Sequence, residues 1–133
     1  MERIALRQIE RQYANNGQHA EQTFVFTMSG MLRKADNKPA EECGDYLDIQ
    51  IKSARASVCK GLDIDAYLAL DAAKRYAYVS ADFSIAYIMT KEEWRAFVKQ
   101  FAKPAIESAK NGGSAKMRLP TETKAVREWL ERG

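Results

Sequence analysis

The chain has 133 residues, of which 46% are hydrophobic and 29% charged, with a formal net charge of +3, values that suit one globular, soluble domain spanning residues 1–133 with a real core. No stretch approaches the roughly 20 apolar residues of a membrane span, and the start Met1-Glu2-Arg3 lacks the apolar core of a secretory signal, so the expectation is a cytoplasmic protein with no membrane partner. Cys43 and Cys59 lack CxxC spacing and share the chain with a single histidine, His19, which argues for free thiols and against a zinc site.

Residues 3–14 read as a helix, with Ile4, Leu6, Ile9 and Tyr13 as an approximate stripe and Asn15-Asn16-Gly17 as its stop. Residues 18–36 admit two readings. Thr23 to Thr27 has strand composition, with Ser29-Gly30 as a turn and Met31 to Asp36 as a returning strand. Alternatively, Ala20, Phe24, Met28 and Met31 sit at helical spacing, with Gly30 as a helix stop. The hairpin is favoured. A polar loop from Asp36 to Gly44 then leads into Tyr46 to Lys52, which alternates strictly. Leu47, Ile49 and Ile51 fall on one side; Tyr46, Asp48, Gln50 and Lys52 fall on the other, the period of a half-buried inner strand. Its polar face sets an acid, an amide and an ammonium about 6 to 7 Å apart. Ser53, Arg55, Ser57 and Lys60 follow, hydroxyls and cations with no acid among them. That sequence suits contact with phosphate; an edge strand with a solvated polar face is the plainer reading.

After Gly61 the pattern becomes helical, with Asp63 and Asp65 at the start, Lys74 and Arg75 at the end, and Ile64, Tyr67, Leu68 and Ala72 as the buried stripe. Tyr76 to Val79 and Ile85 to Met89 read as a hairpin around Ser80-Ala81-Asp82. Thr90 to Glu93 forms a capping box, followed by Trp94, Phe97, Val98 and Phe101 at helical spacing. A basic loop with Lys110 spans Ser108 to Ala115, and Lys116 to Leu119 reads as a short strand. Pro120-Thr121 opens a last helix carrying Val126, Trp129 and Leu130 on one face. Lys116 and Arg118 join Arg55, Ser57 and Lys60 as candidate nucleic-acid contacts. The expected fold class is therefore α/β, a central mixed sheet flanked by helices.

In its hairpin version the element order resembles the αβββαβ core of the PD-(D/E)xK nuclease superfamily, the restriction-endonuclease fold. The residues that carry the resemblance are Asp36, in Lys34-Ala35-Asp36-Asn37, and Gln50-Ile51-Lys52, fourteen positions further on. The resemblance implies that Asp36 and Gln50 hold Mg²⁺, that Lys52 orients or activates the attacking water, and that Glu10 or Glu21 supplies a helical acid. Mg²⁺ takes hard oxygen ligands and keeps several waters, so one or two carboxylates and a substrate phosphate suffice. Gln50 departs from the pattern, offering a neutral oxygen in place of a carboxylate; Asp48, on the same predicted face, is the candidate to replace it. Gln50 to Ala56 and Ser108 to Gly113 also resemble small phage and mobile-element proteins of unassigned function. Two function classes follow. One is a metal-dependent nuclease-like protein acting on nucleic-acid phosphodiesters, DNA ahead of RNA. The other is a non-catalytic protein that binds nucleic acid, or a host-defence complex that handles it, through Lys52 to Lys60.

Overall fold

The computed structural model describes residues 1–32, 45–105 and 115–133, the side chains of Asp45 and Lys60 excepted. Its main sheet has five strands in the order β1-β6-β5-β3-β2, formed by β1 (Glu2–Ala5), β2 (Asp45–Tyr46), β3 (Ile49–Ser53), β5 (Arg75–Val79) and β6 (Ile85–Thr90). β3 and β5 run parallel, while the other neighbours are antiparallel. A second, three-stranded antiparallel sheet joins β4 (Ser57–Lys60), β8 (Lys116–Arg118) and β7 (Lys103–Pro104) in the order β4-β8-β7. The helices among the described residues are α1 (Asn16–Ser29), α2 (Ile64–Leu70), α3 (Lys91–Phe101) and α4 (Lys124–Arg132). The α/β class with a central mixed sheet flanked by helices is thus the observed one. No helix among the described residues is long and apolar enough to cross a membrane.

Both faces of the main sheet are covered, so β5 and β6 are nearly continuous apolar runs. On one face α1 lays Ala20, Phe24 and Val25 against Ile49, Ile51, Ala77, Val79, Ala86 and Ile88. On the other, Tyr76, Tyr78, Tyr87 and Met89 meet Trp94, Phe97 and Val98 of α3, Leu68 of α2, and Val126 and Leu130 of α4. Trp94 stacks on Tyr76 at 5.1 Å between ring centroids. The capping box forms as expected: Thr90 accepts from the Glu93 N–H, and the Glu93 side chain accepts from the Thr90 N–H.

Four sequence expectations change. Residues 3–14 are not a helix: Glu2 to Ala5 pair with Ile85 to Ile88 along β6, and Ala14 lies outside regular structure. An open strand edge offered the N-terminus backbone partners that its weak stripe could not outweigh. Residues 18–29 are helical, not a hairpin, and Asn15-Asn16-Gly17 starts the helix instead of stopping one. The Asn15 side chain accepts from the Gln18 N–H at 3.1 Å, and Gly30 closes α1 in the left-handed region at φ 74°. The strand-favouring Thr23 and Thr27 are tolerated because each hydroxyl donates to the carbonyl four residues back, at 2.8 Å. The proposed return strand beyond Leu32 lies outside the described residues.

The stretch from Tyr46 to Lys52 is a hairpin, not one strand. Tyr46 pairs with Ile49 across a turn of Leu47 and Asp48. Leu47 is 81% exposed with φ 54°, whereas Ile49 and Ile51 are buried as expected. Finally, α2 ends at Leu70, before Lys74 and Arg75, and Ala73 is buried in place of Ala72. The order α1-β2-β3-β4-α2-β5 does occur, but β4 leaves the main sheet to pair with β8.

Candidate functional site

β3 alternates between the two layers. Ile49, Ile51 and Ser53 are its buried residues, the two isoleucines within the α1 layer. Gln50 and Lys52 therefore point to the opposite face, where their strand partners on β5 are Tyr76 and Tyr78. On that face Val58, Cys59, Ile64 and Leu68 join the core with Tyr76 and Tyr78, and Gln50 and Lys52 are half-buried.

Lys52 is half-buried, and its Nζ donates to the Ser57 carbonyl at 2.9 Å. It lines a cavity of about 380 Å³ together with Ser57, Cys59, Tyr67 and Lys116. Two cations on one cavity wall set, with a hydroxyl beside them, form a ready place for an anion. The Cys59 thiol is pushed up from its usual pKa, chiefly by burial, so it stays protonated and is a poor nucleophile. Gln50 carries the more telling atom. Its Oε1 is buried and has no hydrogen-bond partner among the described residues. A buried amide oxygen without a donor costs about 1 to 3 kcal/mol. Next to it in the sheet, the Tyr76 hydroxyl donates to Asp71 Oδ2 at 2.6 Å, and Lys91 Nζ donates to the Asp71 carbonyl at 2.8 Å.

The other predicted ligands do not gather there. Asp48 occupies the hairpin turn, and its carboxylate pairs with Arg75 at 3.1 Å. That hydrogen bond is the main cause holding the Asp48 pKa below its usual value. Its carbonyl accepts from Lys74 and Arg75 N–H, at 3.0 and 3.2 Å, so Asp48 braces the start of β5. Glu21 rides on α1, across the sheet from Lys52, and Glu10 is exposed between β1 and α1. Asp36, Cys43 and Lys110 lie outside the described residues. Among the described residues no group of three or more His, Cys, Asp or Glu side chains is placed to hold a metal ion.

The basic segment divides between the two ends of a tight turn. Lys52 and Ser57 face the cavity just described, and Lys60 pairs through its backbone with Lys116. Arg55, exposed and left-handed at φ 67°, lies instead with Arg118 around the N-terminus of α1. Arg118 is brought there by β8, whose register sets it opposite Ser57. Sequence reasoning named Ser53 with Arg55 as suited to phosphate but missed the α1 N-terminus as part of that second cluster. The available signal was Asn15-Asn16-Gly17, a good helix start that was taken for a stop.

No family model matches the chain, and no curated protein or solved structure matches it either.

Proposed function

We propose that the chain is a nuclease-like protein that hydrolyses nucleic-acid phosphodiesters with a divalent cation, DNA being the first substrate to test. The observation that carries this reading is the buried Gln50 Oε1, without a partner among the described residues, set two residues from Lys52 on one strand face. The described residues fit a cation in part: Gln50 brings one hard oxygen, Asp48 is committed to Arg75, and Glu21 lies across the sheet. In this reading Asp36, which lies outside the described residues, completes the set as the resemblance implies.

A bound Mg²⁺ supplies Lewis-acid polarisation of the phosphate and a lowered pKa for its water. The chain's own residues do the rest. Lys52, oriented by the Ser57 carbonyl, neutralises charge developing on a phosphate oxygen. Lys116 across the cavity attracts the same phosphate and lowers the cost of bringing an anion to a half-buried place. Gln50, neutral, binds the cation more weakly than an acid does. Gln50→Glu is therefore expected to raise metal affinity while keeping or raising activity. Lys52→Ala is expected to abolish cleavage at a stability cost of about 1 to 3 kcal/mol from the lost charged hydrogen bond.

A second reading, binding without cleavage, is favoured by the Asp48–Arg75 pair, which withdraws Asp48 from the Gln50 face. Plasmid, single-stranded and RNA substrates in Mg²⁺ and Mn²⁺ separate the two. Cutting that disappears in Lys52→Ala supports hydrolysis; wild type and Gln50→Glu that bind but leave every substrate intact support binding alone.

A further inference from the structure

We infer that the cleft at the N-terminus of α1, on the opposite side of the sheet from Lys52, is a phosphate-binding site with Ser53, Arg55 and Arg118 as its ligands. It is a cavity of about 370 Å³ whose lining includes Asn16, Gly17, Ser53, Arg55 and Arg118 and contains no acidic residue. It lies beyond the carboxyl ends of β3 and β5, the parallel pair of the sheet, where α/β proteins build ligand crevices.

Three independent features converge on an anion. α1 is 14 residues long with no acid in its first turn, so its positive end is uncompensated. The Asn15 side chain caps Gln18, leaving the Asn16 and Gly17 N–H groups without an acceptor among the described residues. Ser53, only 6% exposed, lines the cleft with a hydroxyl that has no hydrogen-bond partner among the described residues. Its oxygen is not among the sealed, unpartnered atoms of the interior but opens to the cleft, where a phosphate oxygen at the helix end can accept a hydrogen bond from it. Arg55 and Arg118 have no carboxylate partner among the described residues, and Arg11 adds a third cation by donating to Asn16 Oδ1 and to the Tyr13 and Ala14 carbonyls. Glu122 faces the adjoining cleft, but its carboxylate is already engaged by the Tyr78 hydroxyl, the Ala81 N–H and Arg127.

The site uses neither Gln50 nor Lys52, so it stands whether or not the chain cuts nucleic acid. Its ligand is a phosphate group, either in a polynucleotide backbone or at a strand end. The test is a titration of ¹⁵N-labelled full chain with inorganic phosphate, chloride-matched and free of divalent metal, followed by oligonucleotides of one sequence with 5′-phosphate or 5′-hydroxyl ends. Saturable shifts centred on Gly17, Ser53 and Arg55 are expected. Arg55→Gly with Arg118→Ala should weaken them about tenfold or more. Glycine suits the left-handed Arg55 position, so the fold is retained; Arg118→Ala alone, at an exposed side chain, gives the same reading with a smaller loss. Tighter binding of the phosphorylated strand assigns a terminal phosphate, and equal binding with the same shifts assigns the backbone. Shifts no larger at these residues than elsewhere, or unchanged in the double variant, would overturn the site.

Discussion

His19 packs its ring edge-on against Phe83 with centroids 4.6 Å apart, and its Nδ1 is buried without a partner among the described residues. Burial first, and then the charge of Arg11, lowers its pKa below the usual value of 6.5. Because the folded state disfavours the imidazolium, the associated stability is complete above the unfolded pKa and is lost as pH falls through the lowered folded one. Denaturant melts between about pH 7.5 and about pH 5 should show a decline that His19→Gln reduces; identical declines in both proteins would remove His19 as the cause. Leu47 makes a different demand. It is exposed at a positive φ that glycine adopts without strain. Leu47→Gly is expected to be neutral or to stabilise by up to about 1 kcal/mol. A clear loss in the same melts would mean that the leucine packs against something.

β3 shows what sequence patterning delivers and where it stops. The alternation of Ile49, Gln50, Ile51 and Lys52 was legible because it reflects the pleat itself, and Ile49→Ala should cost about 2 to 5 kcal/mol as a core deletion. Less than about 0.5 kcal/mol would contradict its place against α1. The alternation overran at Leu47, because a turn residue and a strand residue look alike until the partner strand is known. For α1, local β-propensity outvoted the helical spacing of Ala20 and Phe24, and threonines that bond their own helix erased the distinction. The capped α3 was legible in full, since its start signal and its stripe agree. Its pairing with α2 was not: Arg95 and Lys99 both donate to Asp65. The Arg95 hydrogen bond foremost, then Lys99, lowers the Asp65 pKa to about 2. The stability this pair confers is present above the unfolded pKa of 3.8 and is lost as pH falls through about 2. Asp65→Asn should therefore flatten the acid limb of the unfolding curve; an unchanged limb would show that the pair confers none.

Across the whole molecule the cations of the central basic segment and of β8 serve two faces of one sheet. Lys52 and Lys116 line the cavity under α2, and Arg55 and Arg118 ring the start of α1. The candidate site was legible in part for that reason: Gln50 and Lys52 were found together, but period-two patterning cannot show that Arg55 turns away from them or that Asp48 is held by Arg75. Removing Arg55 and Arg118 should weaken nucleic-acid binding about equally for all sequences and flatten its salt dependence, without touching the chemistry at Lys52. That chemistry is the central claim, and a single-turnover cleavage assay tests it most directly. Wild type, Gln50→Glu and Lys52→Ala are incubated with labelled DNA in Mg²⁺ or Mn²⁺, each checked for a native melt. The account predicts metal-dependent cutting by wild type, equal or faster cutting by Gln50→Glu, and none by Lys52→Ala. Cutting by Lys52→Ala at the wild-type rate, or folded wild type and Gln50→Glu that cut nothing, would contradict it.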